Sequence, residues 1–332
     1  MPATREEWLA MRKNYIGASE IAALLGFQAD FQLSPLALYL VKRGEIEAPE
    51  IGGERIEWGN DFEDAICKAA CRREGWELQP AMFAVDDSTP GMSASLDRVI
   101  RPSEKDIAAG FVGPGTLEAK NVDFLQFREK WLDDEPPPHI LIQLQDQLAC
   151  SGFLWGAVTA CVGGNEYYVR RYLRHEGIIA EIRAAGTRFW DAVRAGELPE
   201  ADGYEATTKA LRAKYPSLQQ RTIDLSGDNE LPGLCVRQKE LAAQRKAIET
   251  EEERIKNTLR KKMGDAQLAL IAGGIKVSHS IGEDTPPRPA RPGEVINGRK
   301  GQDRIAHGTQ RRTAGRPVSR RLWLPSGRRR RW

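Results

Sequence analysis

Apolar positions change their period in a definite order along the first two hundred residues. REEWLAMRKNYIGASEIAALLG carries them at helical spacing on both sides of a short turn, which predicts two helices. Ser19 stands at the expected N-cap of the second helix and Gly26 at its stop. PLALYLVKRGEI predicts a third helix. After a charged loop, WGNDFEDAICKAACRREG predicts a fourth, with Phe62, Ile66, Ala69 and Ala70 on one side and Glu63 and Asp64 opening its polar side. AMFAVDD, GMSASLDRVI and GTLEAKN then form short β-prone runs bounded by Gly, Pro or Asp. Helical spacing returns in DFLQFREKW and, after the prolines at 136–138, in HILIQLQDQLACSG. LWGAVTACVGG and EYYVRRYL predict a strand pair turning at Gly163 and Gly164, and IIAEIRAAGTRFWDAVRAG predicts a last helix ending at GELPEADG. Helices before and after a central run of strands predict an α/β (α+β) core, its mixed sheet flanked by helices.

The pattern thins after residue 203. Residues 204–235 read as a linker. Residues 236–263 form a highly charged helix whose apolar seam is only Leu241, Ile248, Ile255 and Leu259, so it needs a partner within or between chains. GGIKVSHSI predicts a strand that completes an accessory element over 236–281. Residues 282–332 are Pro, Gly and Arg with almost no apolar period, which predicts a disordered basic tail, either a DNA tether or an extension without a role. That tail explains the charge. It holds fourteen Lys and Arg against four Asp and Glu, which leaves residues 1–281 at −8 within a chain of net +2. Basic surface on the body must therefore be local.

Mean hydropathy is −0.50, and no run of about 18 apolar residues exists to span a membrane. The first residues contain no apolar core of a secretion signal, so the cytoplasm is the expected location. The five cysteines form no CxxC, and Cys67 and Cys71 read as buried thiols on one helix.

Candidate chemistry centres on TLEAKN. Glu118 and Lys120 are two residues apart, so on a strand they project from one face. As a solvated ion pair they would contribute about 0–1 kcal/mol. With Asp97 of ASLDRVI on an adjacent strand, they would instead form part of a metal-dependent phosphodiesterase site. Such a site needs carboxylate oxygens for a hard divalent cation. The cation polarises the phosphoryl group and acidifies an attacking water, and a lysine steadies developing charge. Three further features bear on the choice. Glu63 stands upstream on a helix, where it is either a metal-side carboxylate or a solvent-facing residue of the first turn. Gln143, Gln145 and Gln147 follow, with Gln143 and Gln147 on one helical face and Gln145 on another. Ser19 at a helix start, with Arg12 seven residues before it, suits either capping or a phosphate.

Taken in order, LAMRKNYIGASEIAALLG, WGNDFEDAI, MSASLDRV, LEAKN, IQLQDQL and RFWDAVRAGELP resemble the YqaJ-like viral recombinase family. That family includes the phage lambda-type exonucleases and belongs to the restriction-endonuclease-like PD-(D/E)xK superfamily. The resemblance covers roughly residues 5–203 and implies a nuclease domain at 1–203. It implies a magnesium-dependent exonuclease, with manganese a possible substitute, that digests linear duplex DNA from 5′ ends to leave single-stranded tails for recombination. An endonuclease or repair nuclease of the same fold, or a non-catalytic DNA-binding protein, is the alternative. By the resemblance, Asp97 and Glu118 are metal ligands, Ala119 adds its backbone carbonyl and Glu63 is an accessory carboxylate. Lys120 is the catalytic lysine, Gln145 the active-site glutamine, and Arg12 and Ser19 grip the 5′ phosphate. A single-strand annealing partner, a trimeric ring and a phage or prophage origin are implied as well. The charged helix and the tail have no counterpart in the resemblance.

Overall fold

The computed structural model describes residues 12–27, 29, 32–49, 52–217 and 222–278, and the backbone of 279–280 and 304–309. The expected first helix lies almost wholly outside the described residues. The chain divides into two compact units, residues 1–220 and 221–332.

In the first unit, β1 (Ile16–Gly17) leads directly into α1 (Ala18–Leu24). Gly17, rather than Ser19, is the N-cap, and its N–H donates to Glu20 Oε2 at 2.9 Å. The returning bond from an acidic residue at the third helical position fixes the start two residues earlier than a serine search finds it. α2 (Pro35–Lys42) begins at Ser34, whose Oγ accepts from the Ala37 N–H at 3.2 Å. α3 (Glu54–Glu74) ends at Gly75 in the left-handed conformation that favours glycine. There follow β2 (Glu77–Gln79), β3 (Met82–Val85), β4 (Met92–Leu96), β5 (Arg98–Arg101) and α4 (Glu104–Ala108). The remaining elements are β6 (Gly115–Val122), α5 (Phe124–Lys130), α6 (Pro138–Ser151), β7 (Trp155–Val162), β8 (Glu166–Leu173), α7 (Glu176–Ala195) and α8 (Glu205–Lys214).

The main sheet has the order β2-β5-β6-β7-β8, and only the β6–β7 pair is parallel. A smaller sheet, β1-β4-β3, takes the strand just before β5. Consecutive strands β4 and β5 thus belong to different sheets, and Asp97 is the residue between them. Helices cover both faces of the main sheet. On one face Leu117, Ala157, Ile100 and Trp155 pack with Cys67, Ala70 and Cys71 of α3. On the other, Val122, Val158, Ala160 and Val162 pack with Ile140 and Leu144 of α6. Residues of β6 alternate accordingly, Leu117 toward α3 and Val122 toward α6. Gly115 has no alternative at its position, because a Cβ there would stand 2.6 Å from the fully buried Trp155 ring. A third core joins Ile21 of α1, Leu36 and Leu40 of α2, Ile182 and Phe189 of α7, and Ala210 of α8.

α8 corrects the expected linker over 204–235. Its Thr207 shares a buried 2.6 Å hydrogen bond with Ser34, and Lys214 reaches Glu45 at 2.7 Å, so it docks on the first unit. In the second unit, α9 (Leu231–Met263) begins before the expected residue 236 and is followed by β9 (Leu268–Ile271) and β10 (Ile275–Ser280). Within the tail expected to lack structure, β11 (Arg304–Thr309) pairs antiparallel with β10, which offers an otherwise open edge. The rest of 282–332 lies outside the described residues. Among the described residues, no helix is long and apolar enough to cross a membrane.

Candidate active site

Glu118 and Lys120 project from the face of β6 that meets α6. The Glu118 side chain is 1% exposed, and its oxygens are surrounded by donors. Lys120 Nζ and Gln143 Nε2 both reach Oε1, the latter at 2.7 Å, while Gln147 Nε2 reaches Oε2 at 2.5 Å. Gln143 also turns its carbonyl oxygen to Lys120 Nζ at 3.4 Å. Gln147 is fixed in turn by the Thr116 hydroxyl, which donates to its Oε1 at 3.0 Å. A carboxylate with donors on both oxygens keeps one orientation, which a metal ligand requires.

Asp97 joins them from the β4–β5 junction. Its Oδ2 accepts the Ala119 N–H at 2.9 Å. The N–H and C=O of a strand residue leave along the same edge, so the Ala119 carbonyl faces this side of β6 too. Burial, then the charge of Glu118, raises the Asp97 carboxyl well above its ordinary range, with Lys120 and the Ala119 N–H opposing. Burial works against the charge of Lys120, but Glu118 and Asp97 outweigh it and hold the ammonium protonated.

Glu63 approaches from α3. Burial raises its pKa, countered by Arg98 and reinforced by Glu118. Arg98 links the two sides: Nη1 lies 3.3 Å from Glu63 Oε1 and 2.5 Å from the Asp97 carbonyl, and Nη2 lies 3.0 Å from Asp64 Oδ1. On the turn leading into Glu63, the rings of Trp58 and Phe62 lie 5.1 Å apart, tilted by 33°, while 50% and 40% exposed.

Gln145 departs from expectation. It is buried, its Nε2 donates to the Leu173 carbonyl and its Oε1 accepts the His175 N–H, each at 2.9 Å. Both ends of the amide are used at the β8–α7 corner, away from the carboxylates. The amides at the site are Gln143 and Gln147, and four-residue spacing was the signal for them. Arg98 follows Asp97 directly, and no spacing in the sequence marks its reach to Glu63 and Asp64.

Arg12 and Ser19 mark a second locus at the start of α1. Arg12 Nη2 pairs with Glu20 Oε1 at 2.5 Å, and Glu20 Oε2 accepts from Lys42 Nζ at 2.8 Å. Lys42 is almost wholly buried and also donates to the carbonyls of Arg12 and Tyr15, at 2.8 and 2.7 Å. Ser19 is exposed in the first turn. These side-chain pairings run to Glu20 rather than to Glu118 of β6.

The donor set suits a hard cation. Asp97, Glu118, Glu63 and the Ala119 carbonyl supply only oxygen, and clustered carboxylates, Glu118 buried and Asp97 and Glu63 partly so, balanced chiefly by Lys120, favour added positive charge. Among the described residues, no three His, Cys, Asp or Glu side chains form a ready metal cage. An ion here would complete its shell with water and phosphate, as magnesium commonly does.

Residues 7–154 match the YqaJ-like viral recombinase domain. The uncharacterized protein YqaJ of Bacillus subtilis (strain 168) is 27% identical over 278 residues, 81% of each chain. Among solved structures, an alkaline exonuclease (LHK-Exo) from Laribacter hongkongensis aligns with a TM-score of 0.47 and 20% identity, over 58% of this chain and 94% of that one. A phage related exonuclease from Haemophilus somnus 129PT aligns at 0.40 and 11%, over 55% and 96%. The matched segment holds Glu63, Asp97, Glu118, Lys120 and both site glutamines, so the similarity to the YqaJ-like viral recombinase domain spans the whole candidate site.

Proposed function

We propose that the first unit is a metal-dependent deoxyribonuclease that digests linear duplex DNA from its ends, in the 5′ to 3′ direction. The observation that carries this reading is the convergence of Glu118 and Lys120, on one face of β6, with Asp97 hydrogen-bonded to the residue between them. Magnesium, or manganese in its place, would be held by Asp97, Glu118 and the Ala119 carbonyl, with Glu63 accessory. When bound, it polarises the phosphoryl group and lowers the pKa of a water.

The chain's own residues do the rest. Lys120, kept protonated by its neighbours, faces the charge that develops on the phosphoryl oxygens. Gln143 and Gln147 hold Glu118 in place, and Arg98 fixes the backbone at Asp97. The exposed Trp58–Phe62 pair offers a face on which a base can stack. Arg12 and the exposed Ser19 would grip the 5′ phosphate, a role supported by the basic residues gathered at the start of α1. The reading extends to a phage-encoded protein acting in the bacterial cytoplasm, self-associating as a trimer and handing single strands to an annealing protein.

The test compares linear, nicked and closed-circular duplexes labelled at 5′ or 3′ ends, with magnesium and with EDTA. Mononucleotides should be released from the 5′ ends of linear DNA alone, only with magnesium, and not by Lys120→Ala, which should still bind DNA. Linearisation of closed circles would replace this reading with an endonuclease, and normal turnover by Lys120→Ala would overturn the site.

A further inference from the structure

α9 spans 33 residues, about 50 Å of helix. Among the described residues of this helix, Met263 at its end is the one that is buried. A helix in a protein draws most of its stability from packing an apolar face. On α9 that face is made by Leu234, Leu241, Ile248 and Ile255, which recur every seven residues and are 52%, 48%, 62% and 45% exposed. A seven-residue period drifts by about 20° per repeat on a straight helix, and a left-handed two-helix wrap keeps such a seam in contact.

Charge along α9 falls in blocks that choose the direction of the second helix. Residues 237–246 carry four basic side chains and one acidic, 249–253 carry four acidic, and 254–262 carry five basic. The residues three and four positions from Ile248 flank the seam, with Arg245 and Glu252 on one side and Gln244 and Glu251 on the other. Two copies lying parallel and in register would set Glu252 of each against Glu251 of the other. Antiparallel about Ile248, both flanks match. Arg245 then faces Glu252 of the second copy and Gln244 faces its Glu251, each contact occurring twice. Leu241 meets Ile255 of the second copy, and Ile248 meets itself. Within one helix, Arg245 reaches Glu249 at 3.6 Å and Lys256 reaches Glu252 at 3.9 Å, loose surface pairs that contribute little by themselves. Glu251 is held by Arg254 at 2.6 Å and keeps lone pairs for an amide.

We propose that α9 is a self-association helix that pairs antiparallel with α9 of a second copy of this chain, centred on Ile248. This pairing is twofold, separate from the trimer proposed above, and rests on no part of the nuclease reading.

The test is disulfide trapping in the full chain carrying Cys235→Ser, which removes the exposed cysteine of α9. With an oxidant, Ile248→Cys should give a covalent dimer. Leu241→Cys alone should not, because the two copies of residue 241 lie about 21 Å apart along the pair, and a disulfide spans about 7 Å at most. A mixture of the Leu241→Cys and Ile255→Cys proteins should cross-link. In sedimentation equilibrium, Ile248→Asp should weaken association about a hundredfold and halve the mass of the assembly, with helix content by circular dichroism unchanged. Arg245→Glu should weaken it about tenfold, and adding Glu252→Arg in the same chain should restore it. Self-cross-linking of Leu241→Cys would mean a parallel pair and overturn the proposal, as would a charge swap that restores nothing. No cross-link at any position, with an unchanged mass for Ile248→Asp, would show the seam covered by another segment or another protein and overturn it too.

Discussion

Replacing Gln147 by leucine separates the site glutamines from the structural one. Gln147 is fully buried, donates to Glu118 Oε2 at 2.5 Å and to the Ser95 carbonyl at 3.3 Å, and accepts from the Thr116 hydroxyl at 3.0 Å. Leucine fills similar volume and removes all three bonds. Losing a donor to a buried carboxylate costs about 1.5–3 kcal/mol, and an unpaired Thr116 hydroxyl adds about 1 kcal/mol. The expected sum, about 3 kcal/mol, should move the urea midpoint of the first unit down by about 1.5 M at a slope near 2 kcal/mol per M. The freed Glu118 should also lose its fixed orientation, and a comparable loss in the transition state lowers kcat/KM by about two orders of magnitude. Gln145→Leu is the control. It should cost similar stability through Leu173 and His175 yet leave kcat of the folded enzyme within about threefold. The assay pairs urea denaturation with release of nucleotides from end-labelled duplex. If Gln145→Leu removes turnover in folded protein while Gln147→Leu leaves it unchanged, the roles are reversed and the argument fails.

Further predictions concern other parts of the fold. Asp146 is buried on α6 with neither oxygen hydrogen-bonded, and burial, then Asp86, raises its pKa well above 3.8, with Arg183 opposing. The folded state thus binds more protons than the unfolded one, and stability falls as pH rises from about 4 through the folded pKa. Asp146→Asn should flatten that fall and raise Tm at alkaline pH, whereas melts that run parallel to the wild type from pH 5 to 9 would contradict it. Arg12→Gln should raise KM for 5′-phosphorylated ends about tenfold and leave 5′-hydroxyl ends unaffected; equal losses on both would remove Arg12 from the end-binding role. Gly115→Ala forces a methyl against the Trp155 indole and should cost about 1–3 kcal/mol in chemical denaturation, a cost absent if the ring can shift.

Local pattern located most elements and the centre of the site, because both depend on spacing within one segment. Glu118 and Lys120 share a face as their i, i+2 spacing requires, and the β7–β8 pair turns at Gly163 and Gly164 as expected. Helical spacing also grouped Gln143 with Gln147, so the residues themselves were a better guide than the resemblance, which pointed to Gln145. What stayed hidden depends on distant partners. Thr207 gives no local sign that Ser34 awaits it, so α8 read as linker. Ser19 looked like a cap because serine is a frequent one, but the Glu20 carboxylate selected Gly17. No periodicity reports that β4 and β5 part into separate sheets at Asp97, a candidate ligand that the pattern places inside one continuous strand.

That parting limits how the site can be transplanted. A reduced scaffold built from the five-stranded sheet and α6 would inherit Glu118, Lys120 and both clamping amides. It would leave Asp97 at a loose chain end, because the segment that delivers it belongs to the neighbouring sheet. Gln147 would lose its contact with the Ser95 carbonyl as well. The smallest portable version of this candidate site is therefore both sheets, the single residue that joins them and α6.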